Sequence, residues 1–492
     1  MKNVTILNDL NTLNKLHTSS VESYTTNNGI VDFTCDNAGY VDNVVIEGET
    51  LVNLVRNDLP IQIWHGDRYV IDLVPCDYLK GTYTIFNFSN KKIYQDIGVA
   101  GNTNTWLKSI TIEPRQSITF DIVEGEQISN VSGAFIDGWE NNDTSKNEFR
   151  ESIVILKGDH ADKPIRYFAG IKSVGQGDKI EVLTRNQSNK NLFYGDVELG
   201  YIDNKTGING NSVNGVRSVE YIKVDKNTTY TVSDDKGYNV SVNLYGENKS
   251  EYFGEIYGKT PYTFTTDDKT YWIRLRTFTG SKQNDITIKW QLEKGNKLTE
   301  YVQPKYDKKQ ISTTLRSLPN GVKDTIEKIG NKYVKVQRCG EVVLDGNINV
   351  HDVYKPNNST SLNYHRFLIK VKETPNFGDV FCDRLGNVGD YEIEKDNILG
   401  DKTHSGFFVT LHNDKTGGTR EGFKTWLQAN PVTVVYELET PQIIELPNFN
   451  PQTFEGENTL ILNSGVIQCD ASFDVCKGIR SELDVIKDKV VI

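Results

Sequence analysis

Short runs of strand-forming residues recur along most of the chain, with Gly, Asn or Pro between them. Residues 44–46, 61–64, 83–88 and 118–122 are examples. Many short strands, joined by turns about ten residues apart, are typical of antiparallel sandwiches. The abundant Tyr, Phe, Thr, Val and Ile fit the same structure, because β-branched and aromatic side chains pack well on a pleated sheet. The spacing therefore predicts a mainly β fold.

The chain is too long for one hydrophobic core, since 492 residues correspond to about three domains. Changes in the pattern place a first β-sandwich domain at residues 29–188, a second at 189–305 and a third, β-rich domain at 306–476. Spaced leucines and then a polar segment predict a short helix and a linker at residues 1–28. A short apolar repeat predicts a further short helix at 477–492.

Two helices are predicted within the third domain. The first covers residues 322–329 and ends at Gly330, a residue type that often follows a helix. The second lies between Thr419, a suitable N-cap residue, and Pro431, which cannot continue a helix. The apolar residues of this second helix share one face, so we expect it to pack on a sheet.

The charge of the chain limits its partners. Its formal net charge is -11 and no long Lys or Arg cluster appears, whereas nucleic-acid-binding proteins normally carry a basic surplus. The acidic surplus also argues against simple attraction to an anionic lipid or an anionic wall polymer. No apolar run is long enough to span a membrane, and the first residues lack the apolar core of a secretion signal. We therefore expect no nucleic-acid binding, no membrane insertion and no Sec-type secretion.

The sequence contains no P-loop, HExxH, GxSxG or helix-opening GxGxxG motif, and no CxxC pair. We therefore expect no enzymatic activity, no catalytic residues, no metal site and no cofactor. His404 and His412, with Asp401 and Asp414 nearby, leave a metal site open as an alternative to surface loop histidines. A glycosidase pair of carboxylates also stays open, because sequence spacing does not give the distance between two carboxylates.

Aromatic and arginine residues in two places indicate a sugar-binding surface. The loop at 245–258 is unusually aromatic for a polar, glycine-rich segment. Nearby, alternation along residues 272–276 puts a tryptophan and two arginines on one strand face. Aromatic rings contact sugars and arginine supplies planar donors, although core packing is the alternative for the tryptophan. The candidate ligand-binding residues are Tyr245, Tyr252, Phe253, Tyr257, Trp272, Arg274, Arg276 and, in a separate loop, Trp139.

Residues 288–304 are predicted to form the boundary between the second and third domains. Alternation puts Trp290 and Leu292 on one face, so Trp290 is predicted to be a core residue and not a ligand contact. Gly295 ends this strand. The polar segment that continues to Pro304 is expected to lie along the second domain.

Five short motif regions, in a consistent order, resemble segments of tail and baseplate proteins from phages of low-GC Gram-positive hosts. They are GETLVNL at 48–54, KPIRYFAGIKSV at 163–174, WQLEKG at 290–295 followed by Thr299, Tyr301 and Pro304, LRSLPNGVKD at 315–324, and FKTWL with VVYELETP at 423–427 and 434–441. Ala169 departs from the pattern, in which an acidic residue is common. The resemblance extends over most of the chain.

This resemblance, to tail-fibre and baseplate proteins of phages and phage-tail-like bacteriocins of clostridial-type hosts, implies jelly-roll sandwiches similar to carbohydrate-binding modules. It implies a structural, receptor-binding component of the particle's tail tip, made in the bacterial cytoplasm, with residues 1–28 as the expected docking segment. The implied partners are other baseplate proteins, further copies of the chain in a homotrimer, and a host cell-surface glycan or surface-layer protein. A cell-wall or capsule glycan hydrolase and a stand-alone carbohydrate-binding protein are the alternatives. The shared motifs carry over no catalytic residue.

Overall fold

The computed structural model confirms a mainly β fold. It describes residues 21–476 except 27–28, 57–59, 72, 74–79, 101, 162, 164, 248, 250, 281–287, 356–362, 388–395, 464–466 and 468. Strands hold 54% of the described residues and helices only 6%, and the sheets are largely antiparallel. The helices predicted near the two termini lie outside the described residues.

The described elements are named in chain order. The strands before residue 190 are β1 Val21–Thr26, β2 Ile30–Cys35, β3 Gly39–Tyr40, β4 Asn43–Glu47, β5 Thr50–Val52, β6 Gln62–Trp64, β7 Arg68–Ile71, β8 Gly81–Asn87, β9 Ile93–Val99, β10 Asn102–Ile112, β11 Ser117–Ile122, β12 Glu126–Ala134, β13 Ile153–Lys157, β14 Ile171–Ser173 and β15 Ile180–Asn186. The next group is β16 Val197–Leu199, β17 Tyr201–Ile202, β18 Asn209–Gly210, β19 Gly215–Ser218, β20 Ile222–Lys223, β21 Thr229–Asp234, β22 Asn239–Tyr245, β23 Tyr252–Lys259, β24 Tyr262–Thr265, β25 Trp272–Phe278 and β26 Trp290–Lys294. The last group is β27 Tyr306–Ile311, β28 Thr325–Ile329, β29 Lys332–Leu344, β30 Val350–Tyr354, β31 Tyr364–Lys370, β32 Pro375–Cys382, β33 Gly386–Asn387, β34 Asn397–Asp401, β35 Gly406–His412, β36 Val432–Glu445, β37 Gln452–Thr453, β38 Gly456–Asn463 and β39 Asp470–Cys476. The helices are α1 Asp143–Arg150, α2 Asn413–Thr416 and α3 Arg420–Ala429.

A central sandwich is built from strands at both ends of the described chain. One sheet has the order β2-β38-β15-β27, and the other begins with β1-β39-β4-β28-β29. Their buried side chains form one core, which includes Phe33, Ile46, Val182 and Phe473. In this core the ring of Tyr24 on β1 stacks on Phe473 of β39, with 5.6 Å between the ring centroids. The first and last described strands therefore stabilise each other directly.

The segment predicted as a linker before residue 29 is partly a strand. Residues 21–26 form β1, and its register pairs Val21 with Cys476 and Thr26 with Ala471. The segment is polar and shows no strand pattern of its own, because it is held by the Tyr24 ring and by pairing with a strand far away in sequence. The described part of the predicted linker is thus corrected to an edge strand of the central sandwich.

Three further large hydrophobic cores, and one small cluster around Cys339, lie in the described chain outside the central core. The sheets β10-β9-β12-β7-β6 and β11-β8-β13 enclose the first, around Ile97. The sheets β16-β19-β25-β22-β23 and β24-β21-β26 enclose the second, around Val242 and Leu292. In the third, α3 packs on strands β30 to β36, and Phe423 of the helix stacks on Phe367 at 4.1 Å. Each of these three units therefore carries its own core.

Strand pairing crosses two of the predicted domain limits. Strands of the predicted 29–188 and 306–476 regions share both sheets of the central sandwich, through the β2–β38 and β15–β27 pairs among others. In contrast, strands β16 to β26, all within the predicted 189–305 region, pair only with one another in the part of the chain that the structure describes. We call the sheets β16 to β26 the second unit below.

The QLEKG segment closes the second unit with its polar side chains. Trp290 is only 1% exposed, so the prediction that it is a core residue is confirmed. On the other strand face, the Gln291 amide oxygen accepts from Val302 N at 2.7 Å and its amide nitrogen donates to Thr299 O at 3.2 Å. The Glu293 carboxylate accepts from Thr299 N at 3.1 Å. These bonds hold the following segment along the second unit, as predicted.

Helix α3 confirms the prediction between Thr419 and Pro431. The Thr419 side chain accepts a hydrogen bond from Gly422 N at 3.0 Å, and Phe423 and Leu427 are fully buried. An N-cap and an apolar face together account for a helix here. No helix in the described part of the chain is long and apolar enough to cross a membrane.

The helix predicted at 322–329 is wrong. Residues Thr325–Ile329 form β28, which pairs with β29 through a tight hairpin and with β4 on its other side. Ile326 is fully buried while its neighbours are partly exposed, which is the period of a strand. Gly330, with φ of 62°, lies in the hairpin turn and does not end a helix.

Candidate binding cleft

Strand β25 has two distinct faces, as the alternation predicts. Ile273 and Leu275 are fully buried in the core of the second unit. Trp272, Arg274 and Arg276 point to the opposite face. That face is also covered, because Trp272 and Arg274 are each only 2% exposed and Arg276 is 8% exposed.

A hairpin formed by β17 and β18 covers this opposite face. Arg276 Nη1 donates to the carbonyl of Ile202 at 2.7 Å, and Arg274 Nη1 donates to Oδ1 of Asn209 at 2.7 Å. The hydroxyl of Tyr245 donates to the carbonyl of Gly207 at 3.1 Å. These donors, which the sequence suggests for a sugar, are therefore engaged by the chain's own hairpin.

The candidate residues do not form one exposed sugar platform, which corrects the prediction. Trp272 and Tyr245 are each 2% exposed. Tyr252 is partly buried, with its ring 5.2 Å from that of Tyr245. Phe253 and Tyr257 are exposed, and both lie on β23 at the edge of the sheet. Alternation along a strand identifies its two faces, but it does not reveal that another segment covers one of them.

Trp139 is a core residue of a different unit and is not available to a ligand. It is 1% exposed, and its ring lies edge-on to Phe149 with 4.9 Å between centroids. Its indole N–H donates to the carbonyl of Lys92 at 2.8 Å. The segment that carries Trp139 thus folds back onto the sheets, so its position between predicted strands did not imply exposure.

A cleft of about 740 Å³ opens between the central sandwich and the second unit. Strands β15, β27 and β38 contribute its floor, and the second unit contributes one wall. Pockets of this volume at the junction of two units are common ligand sites. Its aromatic lining consists of Phe88, Tyr167, Tyr194, Tyr221 and Tyr245, and its charged lining of Arg115, Arg166, Lys249, Arg274, Lys308, Glu181, Asp196 and Glu220.

Lys249 occupies an aromatic corner of this cleft. Its Nζ lies 4.1 Å from the centroid of the Trp272 ring and 5.6 Å from that of Tyr221. These are cation–π contacts, which hold an ammonium group without neutralising it. Burial, together with the charge of Arg166, lowers the pKa of Lys249 to about 7, although Glu181 acts in the opposite direction.

A second charged group in the cleft is centred on Lys308. Its ammonium contacts the carboxylate of Glu220 and lies 3.5 Å from that of Glu181 and 3.8 Å from that of Asp196. Burial raises the pKa of Glu220, against the lowering effect of the lysine. Burial lowers the pKa of Lys308, but the surrounding carboxylates outweigh it and raise the value. These carboxylates are therefore held by an internal cation.

Sequence reasoning missed most residues of the cleft. Lys249 lies inside the aromatic loop at 245–258, which the sequence marks as unusual, but nothing in that loop indicates which side chain faces a cavity. Arg166 and Tyr221 come from two other segments. Only the tertiary structure brings these three together.

Comparisons with known proteins add little. No protein-family model matches the chain, and no curated protein matches it. Among solved structures, the crystal structure of the infectious bursal disease virus VP2 subviral particle aligns with a TM-score of 0.12 and 9% identity, over 94% of this chain and 83% of that one. A structure of T=1 particles derived from infectious bursal virus gives a TM-score of 0.10 and 10% identity, over 96% and 85%. Scores this low do not indicate a shared fold, and nothing about function follows from them.

Proposed function

We propose that the chain is a structural component of the baseplate or tail fibre of a phage or phage-tail-like particle, and that it recognises a host cell-surface glycan. The observation that carries glycan recognition is the cleft beside the second unit, where the half-buried ring of Tyr221 lies among charged and amide groups. Sugars are bound by aromatic faces together with a few placed polar groups. The particle context is supported by the motif resemblance alone.

The contacts made by two of the resembling motifs are consistent with a structural role. Gln291 and Glu293 of the QLEKG motif fix the segment that leaves the second unit. In the LRSLPNGVKD motif, the buried carboxylate of Asp324 accepts from Arg316 N at 3.0 Å and from Cys339 N at 2.8 Å. Both motifs thus hold connections between strands, which is consistent with a scaffold protein.

Binding without hydrolysis is part of the proposal. Glycosidases need two carboxyl groups free to exchange a proton or attack the sugar. In the cleft, Glu181 and Glu220 are both paired with the ammonium of Lys308, so neither carboxylate is free of a counter-ion. Release of reducing ends from host wall or capsule glycans by the full chain, abolished by Glu220→Gln, would instead establish the hydrolase alternative.

Envelope binding tests glycan recognition. Labelled full chain is incubated with host cell envelopes that have been treated either with protease or with periodate, which oxidises sugar diols. We expect binding to survive protease and to be lost after periodate. Binding that is lost after protease and kept after periodate contradicts the glycan proposal and favours a surface-layer protein.

A matched pair of tyrosine variants locates the binding in the cleft. Tyr221→Ala removes a cleft ring and should weaken envelope binding about tenfold. Tyr257→Ala removes an exposed ring outside the cleft lining and should leave binding unchanged. Loss of binding in Tyr257→Ala but not in Tyr221→Ala would instead place the binding site on the edge strand β23.

Particle assembly is tested with an N-terminal truncation. Because β1 begins at Val21, removal of residues 1–20 keeps every described strand of the central sandwich, whereas removal of 1–28 deletes β1. We expect the shorter truncation to leave a folded protein that no longer incorporates into particles. Incorporation at normal occupancy would contradict docking through this segment, and analytical ultracentrifugation of the same protein tests the proposed homotrimer.

A further inference from the structure

Most cations of the cleft have no acidic partner. Arg115, Arg166, Lys249 and Arg274 form no ion pair with any residue that the structure describes, whereas Lys308 is surrounded by carboxylates. Although the net charge of the chain is -11, five cationic side chains and only three carboxylates line this cleft, and the carboxylates are gathered at Lys308. The other four cations leave a positive region that a ligand could neutralise.

Two of these cations meet at the ring of Tyr221. The guanidinium of Arg274 lies 5.2 Å from its centroid, and the Nζ of Lys249 lies 5.6 Å from it. Arg274 is 2% exposed, and its hydrogen-bond acceptors among the described residues are neutral, namely the carbonyl of Ser218 at 3.1 Å and Oδ1 of Asn209. A buried cation without a counter-ion acts strongly on its surroundings, because the protein interior screens charge less than water does.

We propose that the part of the cleft around Tyr221 receives an acidic sugar, with the sugar ring against Tyr221 and its carboxylate or phosphodiester group facing Lys249 and Arg166. This proposal rests on the proposed function and specifies the class of glycan. Lys249 Nζ lies over the Trp272 ring and makes no hydrogen bond to a polar atom of the described residues, so its N–H groups can serve an anion. An anion bound beside Lys249 also restores the charged form that burial disfavours.

The acidic net charge of the chain does not contradict an acidic ligand. Charges on the outer surface are screened beyond about 8–10 Å at physiological ionic strength. The groups that line the cleft therefore decide which ligand is held there, while the net charge affects only the approach. The expectation that acidic wall polymers are not attracted thus applies to long-range steering and not to the bound state.

Titration calorimetry with three oligosaccharides of matched length tests the proposal. The probes are an oligogalacturonate, a hexose oligomer joined by phosphodiester links and an uncharged maltooligosaccharide, each titrated into the full chain. We expect at least one acidic probe to bind about tenfold more tightly than the neutral probe. The tighter of the two acidic probes identifies the group as a carboxylate or a phosphodiester.

Charge-removing variants assign the preference to the cleft. Lys249→Gln and Arg166→Gln should each lose most of the preference for the acidic probe. Arg166 is exposed, so its variant folds even if the Lys249 variant does not. Lys269→Gln, which alters an exposed lysine outside the cleft lining, should retain the full preference.

The outcomes separate this proposal from the proposed function. Equal affinity for all three probes, or a preference that both cleft variants retain, overturns the acidic-sugar proposal and leaves recognition of neutral glycans in place. Failure of all three probes to bind also contradicts it. The periodate and protease treatments of envelopes then decide glycan recognition independently.

Discussion

The ammonium nitrogen of Lys249 lies 4.1 Å from the centroid of the Trp272 ring. Trp272 is buried beneath it and is 2% exposed. The tryptophan that the sequence suggests as a sugar contact is therefore a support for a lysine that faces the cleft. This relationship links the covered face of β25 to the region where we expect a ligand.

Binding of an acidic glycan should depend on pH through Lys249. Its pKa of about 7 lies below the usual lysine value, and a bound anion raises it again, so binding takes up a proton. Affinity is then constant below about pH 6 and falls by up to about tenfold per pH unit as the pH rises above 7. The charged neighbours that face the ammonium are Arg166 and Glu181.

Calorimetry from about pH 6 to 9 measures this dependence. Lys249→Arg is the matched control, because arginine keeps its charge throughout this range. The variant should bind with an affinity that is nearly independent of pH. An unchanged pH profile in the variant would show that another group controls the binding.

The covered face of β25 should contribute strongly to stability. Arg276 Nη2 donates to Glu255 at 2.6 Å and to Ser241 Oγ at 2.9 Å, and its other terminal nitrogen donates to the hairpin carbonyl of Ile202. Arg276→Met leaves these partners unsatisfied in a mostly buried position and should lower the free energy of unfolding by about 3 kcal/mol. Urea denaturation of the full chain measures the change.

The control for Arg276 is an exposed ion pair. Lys332 and Glu445 lie 2.7 Å apart with both side chains more than half exposed. Lys332→Met should change the stability by less than about 1 kcal/mol. A similar loss of stability in both variants would mean that the buried contacts of Arg276 stabilise the fold no more than an exposed ion pair does.

Trp139→Ala should separate a core role from a ligand role. Removal of this buried ring from its contacts with Phe149 and Tyr69 should cost about 3–5 kcal/mol. Glycan affinity of the folded protein should not change, because Trp139 is absent from the cleft lining. Thermal denaturation and calorimetry on the same sample give both values, and weak binding without loss of stability would restore Trp139 as a sugar contact.

The cap of helix α3 should be replaceable only by a similar side chain. Thr419→Ala removes the hydrogen bond to Gly422 N and should cost about 1 kcal/mol. Thr419→Ser keeps the hydroxyl and should have little effect. Equal losses in the two variants, measured by urea denaturation, would show that the threonine methyl group matters more than the cap.

Local sequence patterns predicted the features that depend on neighbouring residues. The period-two alternation around Trp290 identified its burial, and Thr419 with the apolar face of Phe423 and Leu427 identified a helix. The same reasoning failed at 322–329, where Gly330 fits both a helix end and a hairpin turn. There the pairing with β4 and β29 selects the strand.

Features that depend on contacts between distant segments could not be predicted from the sequence. The pairing of β1 with β39 joins residues more than 440 positions apart, and no local pattern encodes such a register. The hairpin that covers Arg274 and Arg276 is likewise visible only in three dimensions. The alternation along β25 is the same whether Trp272 is exposed or buried, so the sequence alone does not predict its burial.

The most direct test of the account is a crystal structure of the full chain with an oligosaccharide released from the host envelope. We predict sugar density in the cleft, in contact with the Tyr221 ring and with an acidic group near Lys249 Nζ. Sugar density on the exposed rings of Phe253 and Tyr257, with the cleft empty, would contradict the account.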